Sequence, residues 1–286
     1  MKKILGVHDA PPMHWVGNGF PVRSLFSYDR PGSSLSPFLL LDHASPTTFT
    51  PGAQKRGVGV HPHRGFETVT LVYQGEVDHK DSTGAGGQIG PGDVQWMTAG
   101  SGILHEEFHS ERFTRQGGLF EVVQLWVNLP AKDKMASPGY QTLKKDDFPL
   151  VDLPNEAGQV SVVSGNFGGV AGPASTFTPI HLWNATLNAG KEAGFDFAPG
   201  HTALFVVLEG VVMVNGQEIV RAGQWVHLDR SGARITVEAN TPSRLLLMSG
   251  APIDEPVVGY GPFVMNTQQE IEKAFKDLHS GQFGSL

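Results

Sequence analysis

Five of the twelve histidines in this 286-residue chain fall between His61 and His109. Two of them form His61-Pro62-His63. On an extended strand, residues two apart project from the same face, so both imidazoles can reach one ion. Further along, His105-Glu106-Glu107 places His105 and Glu107 in the same two-residue relation. Were the strands carrying these pairs to lie side by side and face inward, three imidazoles and one carboxylate would converge. That set neutralises part of a divalent charge and leaves positions open on a six-coordinate metal. Cysteine is absent, so no thiolate can contribute. Nitrogen and oxygen ligands suit Fe(II), Mn(II), Ni(II), Cu(II) or Zn(II) without choosing among them. Glu67 reads either as an outer acceptor for a ligating imidazole or as half of a cross-strand salt bridge. His79 and His109 read as polar strand or loop residues rather than ligands.

Other chemistries find little support. No Cys nucleophile exists, and no Gly-x-Ser-x-Gly elbow joins a strand to a helix. Ser101 lies between Gly100 and Gly102, as a tight turn requires. Gly84-Ala85-Gly86-Gly87 precedes neither a helix nor a Lys-Ser/Thr pair, which argues against a phosphate loop. Lys144-Lys145-Asp146-Asp147 is self-compensating and solvated. Phe66, Trp96, Phe120 and Trp126 sit in apolar β-type runs, where they either pack the core or line an apolar ligand pocket.

The elements that must hold these groups are short. Glycine makes up 36 of 286 residues, well above the usual ~7%, while charged residues are 17% against ~25%. Apolar runs bounded by turn residues read as strands at Pro37–Leu41, Thr68–Tyr73, Asp93–Met97 and Glu121–Leu129. After the polar, Lys-rich stretch Ala131–Pro149 the same style resumes, from Val160–Val163 to Leu245–Met248. Only Thr267–Leu278 reads as a helix, with Thr267 and Glu270 spaced as a capping box. A net charge of −7 argues against direct nucleic-acid binding, which needs clustered Lys and Arg. The apolar run Ile4–Val7 is far shorter than a secretory core of ~7–15 residues, and no stretch nears ~18 apolar residues. A cytoplasmic protein without membrane contact is expected.

Segments of the two halves repeat. Val72-Tyr73-Gln74-Gly75 followed by Gly92-Asp93-Val94 resembles Val207-Leu208-Glu209-Gly210 followed by Gly223-Gln224-Trp225, a pitch of 135 residues at the first glycine and 131 at the second. Two copies of one small β-barrel explain this pattern. The expected division is a metal-bearing barrel at 1–135, a linker at 136–149 and a second barrel at 150–286 ending in a helix near 267–279.

His61-Pro62-His63-Arg64-Gly65-Phe66-Glu67-Thr68 and the run from Ile89 through Trp96 and Gly100-Ser101-Gly102 to His105-Glu106-Glu107 together resemble the pirin family of the cupin superfamily. Pro37–His43 and Gln124–Pro130 match as well, and the similarity is continuous from about Gly19 to Leu143. The resemblance implies an all-β bicupin: two tandem double-stranded β-helix (jelly-roll) barrels and a short C-terminal helix. It implies one metal held by His61, His63, His105 and Glu107, usually Fe(II), with Mn, Ni, Cu or Zn as alternatives. It also implies a second barrel without ligands; counting back from Gly210 puts Asp196 and Ala198 where His61 and His63 stand. Two functions follow from the resemblance. One is a quercetin 2,3-dioxygenase that opens a flavonol ring with O2, with Glu107 as catalytic base. The other is a redox-sensitive regulatory protein that binds a protein partner without turnover.

Overall fold

The paired glycine turns are where the two halves fold alike. Gly75 and Gly210 take φ of 83° and 88°, and Gly92 and Gly223 take 91° and 86°. Only glycine enters this region without strain, so each turn is dictated by sequence. The computed structural model describes residues 1–29 and 35–286. Their Cα packing resolves two units.

The first unit comprises residues 12–29, 38–145 and 253–286. One sheet has seven antiparallel strands, with Phe66–Gln74 and Gly118–Asn128 paired at its centre. Phe66–Gln74 is buried over its first seven residues, because both of its faces are covered. A second sheet of four strands runs Gly57–His63, Ile103–His109, Val77–Asp81, Gly86–Ile89. In Ile103–His109 buried and half-buried residues alternate, as one inward face demands. Val77 and Ile89 of this sheet pack with Val72, Phe120 and Val122 of the other, closing a barrel.

The second unit comprises residues 1–11, 35–37 and 146–252. It repeats the plan: a seven-stranded sheet, and a four-stranded one in the order Lys191–Asp196, Arg234–Ala239, Val211–Val214, Glu218–Arg221. A large hydrophobic cluster fills its interior, including Trp183, Phe195, Phe205, Ile235 and Leu247.

Two features differ from the expected linear division. Ile4–His8 pairs with Trp225–Leu228 of the second unit, whereas residues 253–286, including the helix Gln268–His279, pack with the first. The stretch 136–149 is also more than a linker, because Gly139–Leu143 pairs in register with Val94–Thr98 as an edge strand. Its Lys, Pro and Gly neighbours mask the strand in the sequence, yet Tyr140 packs against the Met97, Ala99 and Ile103 cluster. The helix itself is as read, with Thr267 and Glu270 making both bonds of a capping box. No helix among the described residues is long and apolar enough to cross a membrane.

A Cβ at Gly75 would lie 2.6 Å from the Phe120 ring, whereas one at Gly84, also at positive φ, would meet nothing within 4 Å. Gly75→Ala is therefore expected to cost about 1–3 kcal/mol, and clearly more than Gly84→Ala. Urea unfolding of both variants checks this. Equal losses would mean that backbone strain, rather than the ring contact, sets the cost.

Candidate metal centre

The four-stranded sheet of the first unit positions the chemistry. His61 and His63 end one strand, and His105 and Glu107 lie on its neighbour. His61 is directly opposite His105 in the register, which then slips by a bulge before Glu107 meets Val58. Imidazole centroids are 4.2 Å apart for His61 and His105, and 4.9 Å for His63 with either of the others. Each ring offers a nitrogen, and these nitrogens lie within 4.8 Å of one another. Among the described residues this is the one cluster of three or more His, Asp or Glu arranged to hold a metal ion.

The protonation states fit a cation. Burial, reinforced by the neighbouring imidazoles, holds His63 and His105 well below the usual imidazole pKa, so both stay neutral at neutral pH. His61 Nδ1 lies 2.8 Å from the Gly59 carbonyl, which can only accept, so Nδ1 carries a proton and Nε2 is the nitrogen left to meet a ligand. His63 Nδ1 and both ring nitrogens of His105 are buried without a hydrogen-bond partner. Each such atom costs free energy unless something satisfies it, and a divalent cation among the three imidazoles would engage one nitrogen of each ring.

Glu107 is buried beside this cluster, but its carboxylate is held by the opposite sheet. Gln124 Nε2 donates to Oε2 at 3.1 Å and to Oε1 at 3.4 Å, and Thr70 Oγ1 donates to Oε1 at 3.4 Å. Trp126 Nε1 in turn donates to Gln124 Oε1 at 3.4 Å. Burial raises the Glu107 pKa, opposed by His61 and by these two donors. Thr70 and Gln124 are not singled out by motif reading. The available signal is a polar residue at an inward position of an otherwise apolar strand.

A cavity of about 300 Å³ opens onto these groups. Val16, Phe20, Val22, Val58, Val122 and Trp126 form its apolar wall, with Asp42, His61, His63, Thr70, Glu107 and Gln124 as its polar groups. Trp126 stacks on Phe66 at 4.3 Å and meets His63 edge-on at 5.3 Å. Of the four aromatics read from sequence, Trp126 thus lines the pocket while Phe66, Trp96 and Phe120 are buried. A larger cavity, about 400 Å³, lies beside Lys55, Lys80, Glu106 and Arg115 and includes none of the three clustered histidines. His79 and His109 are more deeply buried than polar loop residues would be, at 3% and 2% exposure, and neither joins the three-histidine cluster.

The pirin family profile matches residues 19–127, and the profile of the pirin C-terminal cupin domain matches residues 182–284. A Pseudomonas aeruginosa protein provisionally named a quercetin 2,3-dioxygenase is 58% identical over 283 residues, covering 99% of both chains. The chain belongs to the pirin family. A pirin-like protein of Caulobacter vibrioides is 43% identical over 78% of this chain and 79% of its own. The crystal structure of a quercetin 2,3-dioxygenase from Acinetobacter baumannii superposes with a TM-score of 0.97 at 51% identity, covering 100% of this chain and 99% of the other. A bacterial pirin from Escherichia coli, solved in complex with nickel(II), shares the fold at 20% identity, with a TM-score of 0.61 over 86% of this chain and 98% of its own. The two units of this pirin are accordingly tandem cupin barrels.

The shared topology of this pirin's barrels corrects the position-by-position match read from sequence. Val77 and Val212 each stand two residues after their turn glycine and pair with His109 and Ala239. Stepping back by twos sets Glu107 against Val237 and His105 against Ile235. Crossing to the adjacent strand sets His61 against Phe195, since His61 pairs with His105 and Phe195 with Ile235. His63 then falls opposite Phe197, not Ala198, because loop lengths shift a linear count by one residue. All four second-barrel counterparts are buried hydrophobics.

Glu67 makes neither contact considered for it. Its Oε1 accepts from the Thr98 hydroxyl at 2.8 Å, across the strand pair Phe66–Gln74 and Val94–Thr98. Burial pushes its pKa up to about 7, so the folded protein keeps a proton that the unfolded chain releases above about 4.5. Stability from this group is complete below pH 4.5 and is lost as pH rises through 7, a swing of about 3 kcal/mol. Glu67→Gln, which stays neutral, is expected to gain stability relative to wild type between pH 4.5 and pH 8, measured by urea unfolding at both values. A difference that does not move with pH would show that Glu67 is charged in the fold.

Proposed function

We propose that this pirin is a metal-dependent dioxygenase of the quercetin 2,3-dioxygenase type, with His61, His63, His105 and Glu107 holding one divalent ion, Fe(II) as the first choice. The observation that carries this reading is a cluster of three imidazoles, two of them buried, of which His61 and His63 line a largely apolar pocket beside the Glu107 carboxylate. Names borne by relatives similar over nearly the whole chain support the same class and suggest a flavonol and O2 as substrates. When bound, the ion supplies Lewis acidity and a path for electrons between substrate and O2.

The chain's own residues do the rest. The apolar wall takes up the aromatic rings and excludes water, with Trp126, fixed against Phe66, as the flat surface against which a ring can lie. Glu107 accepts the proton of the substrate hydroxyl, a role that its burial favours by making the carboxylate more basic. Gln124 and Thr70 hold the carboxylate while it is not a ligand, so that Glu107 alternates between base and ligand.

Glu107→Ala is expected to lower turnover by at least about 100-fold, the contribution of a positioned base, while bound metal falls much less. Oxygen uptake by the iron-loaded protein with quercetin, read beside elemental analysis, tests both halves. Full activity in the variant would remove Glu107 from its role. No uptake with any flavonol, together with partner capture that depends on oxidation state, would turn the reading to a redox-sensitive regulator.

A further inference from the structure

The far end of the chain lies against the residues next to two of the histidines. Arg64 follows His63, and its buried guanidinium donates to Asp277 Oδ2 at 2.8 Å and to the Ser101 carbonyl at 2.7 Å. It also lies 4.6 Å above the Phe283 ring. The Arg64 backbone is held as well: its amide donates to the Pro262 carbonyl at 3.2 Å, and its carbonyl accepts from Val264 at 3.1 Å. Gly65 approaches the same segment so closely that a Cβ there would lie 2.1 Å from the Val264 carbonyl. Lys134 Nζ joins the two stretches by donating to both the Gly65 and Val264 carbonyls at 2.8 Å. On the other ligand strand, Leu104, which precedes His105, packs into the cluster of Phe263, Ile271, Ala274 and Phe283.

Side chains alternate along a strand, so Arg64 and Leu104 point away from the interior while His63 and His105 point into it. Fixing the outward pair fixes the backbone from which the inward pair projects. A metal needs its ligands within a few tenths of an ångström, and groups that orient ligands contribute strongly to affinity. We propose that residues 262–283 are the outer support of the metal centre, with Asp277 as a positioning residue that acts through Arg64 on His63. This inference rests on the metal-binding reading above. By linkage, metal binding must in turn stabilise the helix Gln268–His279.

The test uses the full chain and nickel(II), with affinity measured by chelator competition. Asp277→Asn removes the charge and keeps the shape; its nickel affinity is expected to fall about 10-fold or more. Lys273→Gln removes the exposed partner that Asp277 also contacts at 3.0 Å, and is expected to leave affinity within about two-fold. In wild type, hydrogen exchange across Gln268–His279 is expected to slow when nickel is added, a measurement that needs no variant to fold. Wild-type affinity in Asp277→Asn, or helix exchange indifferent to nickel, would overturn the proposal alone. A wild type that binds no nickel would overturn the metal-binding reading with it.

Discussion

The cost of keeping polar groups dry inside a β-barrel governs this molecule. Imidazole nitrogens without partners in the first barrel each forgo a hydrogen bond that water would have provided, at about 1–3 kcal/mol apiece. A barrel tolerates that deficit only if a bound cation offsets it or the rest of the core compensates. The second barrel shows the other solution on the same topology. Where the first has His61, His63, His105 and Glu107, the second has Phe195, Phe197, Ile235 and Val237, and its interior closes as a single apolar cluster. Thr70 and Gln124, which serve Glu107, likewise correspond to Phe205 and Leu247, both fully buried. The exchange is coordinated, since a lone polar residue in that apolar interior would find no partner.

Much of this could be read in the sequence because strand geometry is strict. Two-residue spacing alone brings His61 and His63 onto one face, and His105 and Glu107 onto another, before any pairing is known. The capping box at Thr267 and the left-handed glycines at both turns are equally local signals. What escaped reading is what depends on pairing between distant segments. The one-residue offset between Phe197 and Ala198 is invisible without the strand register. The role of Gln124 and Thr70 arises only when two sheets face each other. The edge strand Gly139–Leu143 is hidden because its neighbours carry the composition of a loop.

Glu107 shows how position and state differ. Its strand places it inward beside His105, as the spacing demands, yet its carboxylate is engaged by Gln124 and Thr70. Sequence specifies which groups share the chamber; the hydrogen bonds across it specify where each group rests. The same distinction applies to Glu67, which lies near the first histidine pair in sequence but accepts its bond from Thr98.

Neither barrel is a continuous stretch of chain. The strand Ile4–His8 completes the edge of the barrel whose other strands come from residues 146–252. Its backbone partner, Trp225–Leu228, is synthesised more than two hundred residues later, so this strand must wait unpaired until those residues are made. A fragment cut between the halves would carry that orphan edge and lack residues 253–286, leaving the half that holds the histidine cluster with an exposed strand and an uncovered apolar face.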